Sequence, residues 1–244
     1  MLDFASFYSL YCNLFEKNGL NRFCSTEIAQ RFYKFTQLLI DENTHTNLTA
    51  IREPSDIISK HYVDCLLAEE FFPQNATVID VGCGGGFPTI PLAIARPDLK
   101  ITAVDSTLKK IRFVEKTARE MNLDNVTPLC ARAEAPEMQS YRQMFDIATS
   151  RAMARMSVLA ELTFPFLKVG GKLIALKGAQ GSLELQEAGN AITVLGGNPN
   201  ADDNSFLLKT ESDIESRHIL VVSKQSATPK QYPRSYSVIT KKPL

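Results

Sequence analysis

At 244 residues, 44% of them hydrophobic and 22% charged, the chain is long enough to bury one sizeable core and has the composition of an ordinary globular protein. Its 27 Lys and Arg balance 27 Asp and Glu, which excludes a protein that holds nucleic acid by bulk positive charge and leaves only a local basic surface for such a role. The cysteines at 12, 24, 65, 83 and 130 are odd in number and include no C-x-x-C pair, which argues against a disulfide framework or zinc and for reduced thiols in a cytoplasm.

From the N-terminus, Asp3 is followed by no basic lead-in. No apolar run approaches the roughly 20 residues of a membrane helix, so a cytoplasmic protein with no membrane contact is expected. Phe4, Phe7, Tyr8, Tyr11, Leu14 and Phe15 recur at helical spacing, and Ile28, Phe32, Phe35 and Leu39 do the same after the start signal Ser25-Thr26. Both patterns predict amphipathic helices whose aromatic stripes enter a core, with an exposed partner-binding face as the alternative. A polar segment from Asn43 to Thr49, then Arg52-Glu53-Pro54, leads into a third helix reaching about Phe71. Asn47, His61 and Asp64 are polar residues in apolar company there, and capping or surface hydrogen bonding is their plain reading. His45 and His61 have no partners at ligand spacing, so no metal is expected. Residues 1–72 are expected to form a helical extension packed on a main domain over 73–244, the two making a single compact unit.

Val78, Ile79 and Val81 form a short apolar strand that runs into Gly82, Gly84 and Gly86, and Pro88 opens a helix continuing toward Pro97. Such glycines permit positive φ angles and close backbone approach, and the helix aims its first N–H groups at whatever sits on the loop, so a nucleotide-like ligand is expected. The dinucleotide fingerprint G-x-G-x-x-G requires a small residue where this chain has Phe87. What stands is Asp80-x-Gly82-x-Gly84-x-Gly86, which resembles the D-x-G-x-G-x-G pattern of S-adenosylmethionine-dependent methyltransferases. Lys100 to Val104 is the next strand. Asp105 ends it 105 − 86 = 19 residues beyond Gly86, the distance at which an acidic residue holds ribose hydroxyls. Capping the helix that begins near Thr107 is its competing role.

That helix has Leu108, Ile111, Val114, Ala118 and Met121 on one face and a basic run on the others, read as solvated. Val126 to Cys130 is a third strand leading to Arg132-Ala133-Glu134, and Phe145 to Thr149 is a fourth delivering Ser150-Arg151-Ala152. A helix from about Met156 to Leu167 is expected to end at Gly170-Gly171, with Lys172 to Lys177 as the fifth strand. A helix over Leu183 to Leu195 stops at Gly196-Gly197, and Ser205 to Thr210 with His218 to Ser223 read as a closing pair of strands. The alternation predicts an α/β fold, a Rossmann-like, doubly wound and mostly parallel sheet with an antiparallel edge hairpin. From Lys224 onward Lys224, Lys230, Arg234, Lys241 and Lys242 occur without an acidic residue, a basic tail that reads as a phosphate contact or simply as a soluble end.

Asp80, the glycines, Asp105, Ala133-Glu134 and Arg151 all fall at the carboxyl ends of successive strands, where open parallel sheets bind ligands. Methyl transfer from a sulfonium is an in-line displacement, so orientation and exclusion of water matter more than proton chemistry. No Asn/Asp-Pro-Pro-aromatic motif follows the fourth strand, as exocyclic amine methylation would want. No cysteine follows a proline, as cytosine C5 chemistry would want. An acceptor with a free lone pair, such as guanine N7, needs neither device. No residue is therefore assigned as acid or base, and Arg151 is the candidate organiser.

Asn47-Leu-Thr-Ala-Ile-Arg52, His61-x-x-Asp64, Asp80 to Pro88, Arg132-Ala-Glu134, Thr149-Ser-Arg-Ala152, Leu176-Lys-Gly178, Arg217-His218 and Lys241-Lys-Pro-Leu244 together resemble the RsmG (GidB) family, from about Asn47 to the C-terminus. The resemblance implies methylation of guanine N7 in bacterial 16S ribosomal RNA, with S-adenosylmethionine as cofactor and that RNA or the small ribosomal subunit as partner. It implies cofactor contacts from Gly82, Phe87, Ala133, Glu134 and Arg151, which Asp80, Gly84 and Asp105 join by position. Asn47, Arg52, His61, Lys177, Arg234, Lys241 and Lys242 are the candidates for RNA contact, and a monomer is expected. A small-molecule methyltransferase and a non-catalytic cofactor-binding module remain the alternatives.

Overall fold

A computed structural model describes residues 2–244. Its centre is a seven-stranded sheet of β1 (Thr77–Val81), β2 (Lys100–Asp105), β3 (Val126–Cys130), β4 (Phe145–Arg151), β5 (Leu167–Lys177), β6 (Asp202–Lys209) and β7 (Ile214–Ser223), in the order β3-β2-β1-β4-β5-β7-β6. The first five strands are parallel, and β7 runs antiparallel to β5 and β6. This is the Rossmann-like plan of methyltransferases read from the sequence, with its edge hairpin. The strand order reverses between β1 and β4, and at such a switch point loops diverge and leave a crevice.

Side chains alternate across the sheet with period two, so each strand feeds two cores. Val78, Ile101, Ile147, Ile174 and Ile219 point to one face, while Ile79, Val104, Ala148, Leu173 and Leu220 point to the other. The first face is covered by α1 (Phe4–Lys17), α2 (Thr26–Asn43), a helical run over 54–66, α5 (Thr89–Ala95) and α6 (Leu108–Glu120). The second carries α7 (Met156–Thr163), α8 (Gly181–Glu187), α9 (Gly189–Val194) and α10 (Tyr236–Lys241).

The aromatic stripes of the first two helices face inward. Asp3 caps α1 by accepting from Ser6 N, and Ser25 caps α2 by accepting from Ile28 N. Tyr11 stacks on Phe15 with centroids 4.0 Å apart, Phe32 meets Tyr62, and Phe35 reaches Phe87 beside the glycine loop. Burying each of these rings contributes roughly 1.5–3 kcal/mol. The helix expected through Phe71 is composite: α3 (Pro54–Ile57) and α4 (Asp64–Leu66) flank a π-helical stretch Ile58–Val63, and Glu69–Phe71 is a separate 3-10 turn.

Several boundaries differ from the sequence reading. The helix after β4 ends at Thr163, because Pro165 lacks an N–H to continue it, and Phe164–Phe166 tightens to a 3-10 turn. The glycines at 170 and 171 do not end that helix; they lie inside β5, which starts at Leu167 rather than Lys172. Gly170 has φ +89°, a β-carbon on Gly171 would meet Asp146 O at 2.8 Å, and the register with β4 shifts there, so the pair makes a bulge. The single helix expected over 183–195 is two short ones, broken at Ala188-Gly189. Pro88 precedes the first helical residue, Thr89, instead of occupying it. The hairpin strands start earlier than read, at Asp202 and Ile214.

The basic C-terminal segment is also partly structural. Lys224 is buried and donates to Phe164 O and Leu167 O, and burial lowers its pKa to about 8. Among the described residues no helix is long and apolar enough to cross a membrane, and no group of three His, Cys, Asp or Glu stands together to hold a metal ion.

Candidate functional site

A cavity of about 650 Å³ opens at the carboxyl ends of β1 to β4, and the loop after β1 is its floor. Gly82 N and Cys83 N both donate to Val104 O, which pins the loop to β2. Gly82 holds φ +78°, and a β-carbon there would strike Met153 Cγ at 2.8 Å. Gly84 holds φ +56°, and a β-carbon on it would meet nothing within 4 Å, standing in the open cavity instead. One glycine thus serves a close internal approach and the other keeps room for a ligand.

Asp105 is 8% exposed at the cavity edge. Its Oδ2 accepts from Gly84 N at 3.0 Å and its Oδ1 from Thr107 N at 2.8 Å. The carboxylate therefore fastens the glycine loop and the turn that leads into α6, and each oxygen keeps a second lone pair for a ligand. The competing role read from the sequence, an N-cap for this helix, is not what the side chain does: Thr107 is the N-cap residue and no side chain caps it.

Asp80 is fully buried behind the loop. Its Oδ2 accepts from the Thr89 hydroxyl at 2.6 Å and from Thr89 N at 3.2 Å, while Oδ1 has no partner. Burial pushes its pKa up to about 7, against the pull of the Thr89 bonds and of Arg151. Thr89 thus holds Asp80 in place behind the loop without lining the cavity itself.

His61 lies in the π-helical stretch, a local widening that often accompanies functional positions. Its Nδ1 is 2.9 Å from Arg151 Nη2 and its Nε2 is 2.8 Å from Thr49 Oγ1. Guanidinium has only protons to give, so Nδ1 accepts, and the ring proton sits on Nε2 and is donated to Thr49. Burial first, and then the charge of Arg151, pushes the His61 pKa down to about 3. The ring stacks on Phe87 with centroids 4.2 Å apart, and the Arg151 guanidinium lies 5.2 Å from the centre of the same phenyl ring.

Arg151 Nη1 donates to Lys60 O and to Asp64 Oδ2, both at 3.0 Å, and Asp64 Oδ1 accepts from Arg217 Nε at 2.7 Å. Asp64 therefore joins two arginines, one from β4 and one from the edge hairpin, to the helical run at 54–66. Arg151 Nε, like Asp80 Oδ1, is buried without a partner. The sequence marked Asp64 and Arg217 separately; their pairing, 153 residues apart, left no local signal.

The cavity wall brings together Gly82, Gly84, Phe87, Asp105, Ala133, Glu134, Arg151 and His61. Asp80 supports the floor from below. Lys177 stands at a neighbouring cavity, and Lys241 and Lys242 are exposed on and beside α10. Asn47 and Arg52 are exposed and outside the wall, which is lined by their neighbours Leu48 and Thr49. Arg234 is turned inward: its Nε and Nη2 donate to the two oxygens of the buried Glu161, at 2.8 and 2.5 Å. Met153, Lys110 and Tyr236 also line the cavity and were not foreseen; Met153 directly follows Ser150-Arg151-Ala152, whereas Tyr236 arrives only through the fold of the tail.

The chain is similar to known proteins along most of its length. The profile of the GidB family, described as rRNA small subunit methyltransferase G, matches residues 28–219. The ribosomal RNA small subunit methyltransferase G of Brevibacillus brevis is 42% identical over 218 residues, covering 88% of this chain and 90% of that protein. The protein of the same name from Ligilactobacillus salivarius is 41% identical over 232 residues, covering 93% and 94%. Among solved structures, an O-methyltransferase from Bacillus cereus in complex with SAH superposes with a TM-score of 0.52 at 16% identity, covering 78% of this chain and 91% of that one, a likeness of fold alone.

Proposed function

The chain belongs to the GidB family of small-subunit ribosomal RNA methyltransferases, and we propose that it transfers a methyl group from S-adenosylmethionine to N7 of a guanine in 16S ribosomal RNA. The observation that carries the choice of acceptor is the engagement of His61: Arg151 occupies one ring nitrogen and Thr49 the other, so the imidazole in this cavity is not open to take a proton. Guanine N7 has a free lone pair and no proton to lose, and its methylation needs no base.

The residues present fit the cofactor. The cavity is of ligand size, Gly84 leaves open space over the loop, and Asp80 Oδ1 and Arg151 Nε are buried polar atoms left without protein partners. When bound, S-adenosylmethionine supplies an electrophilic methyl group on a sulfonium. The backbone of Gly82 to Gly84 would hold its amino-acid end, the spare lone pairs of Asp105 would accept from the ribose hydroxyls, and Ala133 and Glu134 would line the adenine. Phe87 gives the wall an apolar face that excludes water, and Arg151, locked by His61 and Asp64, keeps that face and the acceptor side in fixed relation. With all five cysteines as free thiols, the proposed compartment is the reducing cytoplasm, and the proposed working unit is one copy of the chain.

The test is incubation of the purified chain with methyl-labelled S-adenosylmethionine and small ribosomal subunits from cells lacking it, followed by nucleoside mass spectrometry. The expected product is 7-methylguanosine. Label in any other nucleoside, or none, overturns the reading.

A further inference from the structure

A second cavity, of about 490 Å³, opens beside the first at the carboxyl ends of β4 and β5. The two cavities share Arg151, Ala152 and Met153 as a common wall. Ala152 sits in that wall at φ +53°, a conformation that residues bearing a β-carbon rarely adopt and that folds tolerate mainly at functional positions. Arg151 on β4 is in register with Leu176 on β5, so Lys177 is carried to the same edge of the sheet.

The inside of this second cavity is apolar along Ile51, Met153 and Leu176. At one end Asp64 and Arg217 satisfy each other. At the other end Lys177 and Glu184 make a different arrangement. Lys177 Nζ donates to Ala154 O and, at 2.8 Å, to Glu184 Oε2, which also accepts from Met156 N at 3.0 Å. That uses two of the three ammonium protons. Glu184 lines this cavity, and its Oε1 makes no hydrogen bond to the described residues and is not among the buried atoms lacking one, so that oxygen is accessible and free to accept. An unused donor thus stands next to an unused anionic acceptor, held by an ion pair that is itself largely shielded.

We propose that this second cavity is the acceptor subsite, taking a guanine base turned out of the RNA, with Lys177 donating to O6 and the one free carboxylate oxygen, Glu184 Oε1, accepting from N1–H and the N2 amino group. The proposal rests on the guanine-N7 reading above. Three physical points favour it. Bases that undergo chemistry are extruded into a pocket and read on their Watson–Crick edge. The polarity of the pair fits guanine, whose edge runs acceptor, donor, donor, and opposes adenine in the same pose, because adenine offers an amino donor at position six. O6 adjoins N7 on the purine, so a base held through O6 by Lys177 presents N7 toward the Ala154 and Met153 side, where the common wall meets the first cavity.

The charge of Glu184 also has work at the methylation step. A purine methylated at N7 is a cation, and its N1–H becomes more acidic as that charge develops. The bond from N1–H to a fixed carboxylate therefore strengthens from bound substrate toward transition state, and it lowers the barrier rather than merely tightening binding. Arg151 and Arg217 nearby would oppose a second positive charge, and Glu184 offsets them.

The variant is Glu184→Gln, which keeps a carbonyl oxygen for Met156 N and loses the anion. Single-turnover methylation is measured at saturating small subunits from cells lacking the protein, with cofactor affinity by calorimetry and Tm on the same preparations. The nucleoside made by the wild type is identified first; a product other than 7-methylguanosine overturns the guanine-N7 reading itself, and the inference with it. Given 7-methylguanosine, Glu184→Gln is expected to slow transfer by about ten- to a hundredfold, the range for losing a specific base contact, with cofactor affinity unchanged and Tm lowered only by the loss of the shielded ion pair to Lys177. Lys177→Met is expected to shift the rate in the same direction. A Glu184→Gln protein with the wild-type rate overturns the acceptor subsite, and so does a slow one whose cofactor affinity falls in parallel, because Glu184 then acts only through the shape of the first cavity.

Discussion

Arg151 Nη2 lies 2.9 Å from Nδ1 of His61, and since arginine offers only protons, the contact fixes a neutral imidazole that holds its own proton toward Thr49. With a pKa near 3, the ring stays neutral throughout the range in which imidazoles ordinarily titrate. His61 is therefore expected to contribute no ionisation to the single-turnover rate between about pH 5.5 and 8, and any titration near 7 belongs to Asp80 behind the loop and persists in His61→Gln. His61→Gln should lower activity by loosening Arg151 and Phe87 without adding an ionisation. A titration near pH 6.5 that vanishes in His61→Gln would show base catalysis.

Arg151→Lys keeps the charge but replaces a planar fork with one ammonium, which cannot serve His61 Nδ1, Asp64 Oδ2 and Lys60 O together. A loss of about tenfold or more in single-turnover rate is expected, the equivalent of one charged hydrogen bond. A rate within twofold of wild type would show that the position of the guanidinium is unimportant.

Asp80 and His61 push pH-dependent stability in opposite directions. The folded pKa of Asp80, about 7, lies above the ordinary 3.8, so the stability it contributes is fully present below about pH 4 and is lost as pH rises through 7. His61 is depressed from 6.5 to about 3, so its contribution is present above 6.5 and is lost as pH falls. The diagnostic quantity is the difference between wild type and Asp80→Asn. The variant should gain stability relative to wild type as pH rises from 5 to 8, by up to about 2.7 kcal/mol, because only the two pKa units between pH 5 and the folded value of about 7 are lost in that interval, at about 1.36 kcal/mol each. Chemical denaturation at several pH values checks this, and a constant difference would contradict it.

Much of this was legible in the sequence because it is carried by short-range pattern. The strand-loop-helix around Gly82 to Gly86, the acidic residue 19 positions later and the alternation of apolar runs each report local backbone requirements, and the sheet order follows from them. What was not legible depends on long-range partners. Lys224 and Arg234 looked like free tail cations; their roles are set by Phe164 O and by Glu161, elements 60 and 73 residues away. The glycines at 170 and 171 looked like a helix stop because a bulge inside β5 has the same composition. Glu184 sat in an ordinary amphipathic stretch until β5 placed Lys177 beside it.

Asp105→Ala removes the acceptor for Gly84 N and Thr107 N along with the lone pairs proposed for the ribose. Calorimetry with S-adenosylmethionine should show binding weakened by about 1.5–3 kcal/mol, the range for hydrogen bonds to a charged group. Unchanged affinity would remove Asp105 from the cofactor site.

With the formal charge balanced overall, RNA affinity must come from local cations, and Lys241 and Lys242 are exposed while Lys224 and Arg234 are committed inside. Deleting residues 241–244 should reduce the dependence of log affinity on log salt by about 1 to 2. An unchanged slope would make the end of the chain a structural cap for α10.

The central claim is methyl transfer to guanine N7 of small-subunit ribosomal RNA, and a map of that RNA from cells with and without the protein tests it most directly. Reduction and mild aniline treatment break the chain at 7-methylguanosine. One break present only in cells that contain the protein, and absent again when Arg151→Lys replaces it, is the predicted result; identical maps, with the lost modification appearing instead at a base amine or ring carbon, would contradict it.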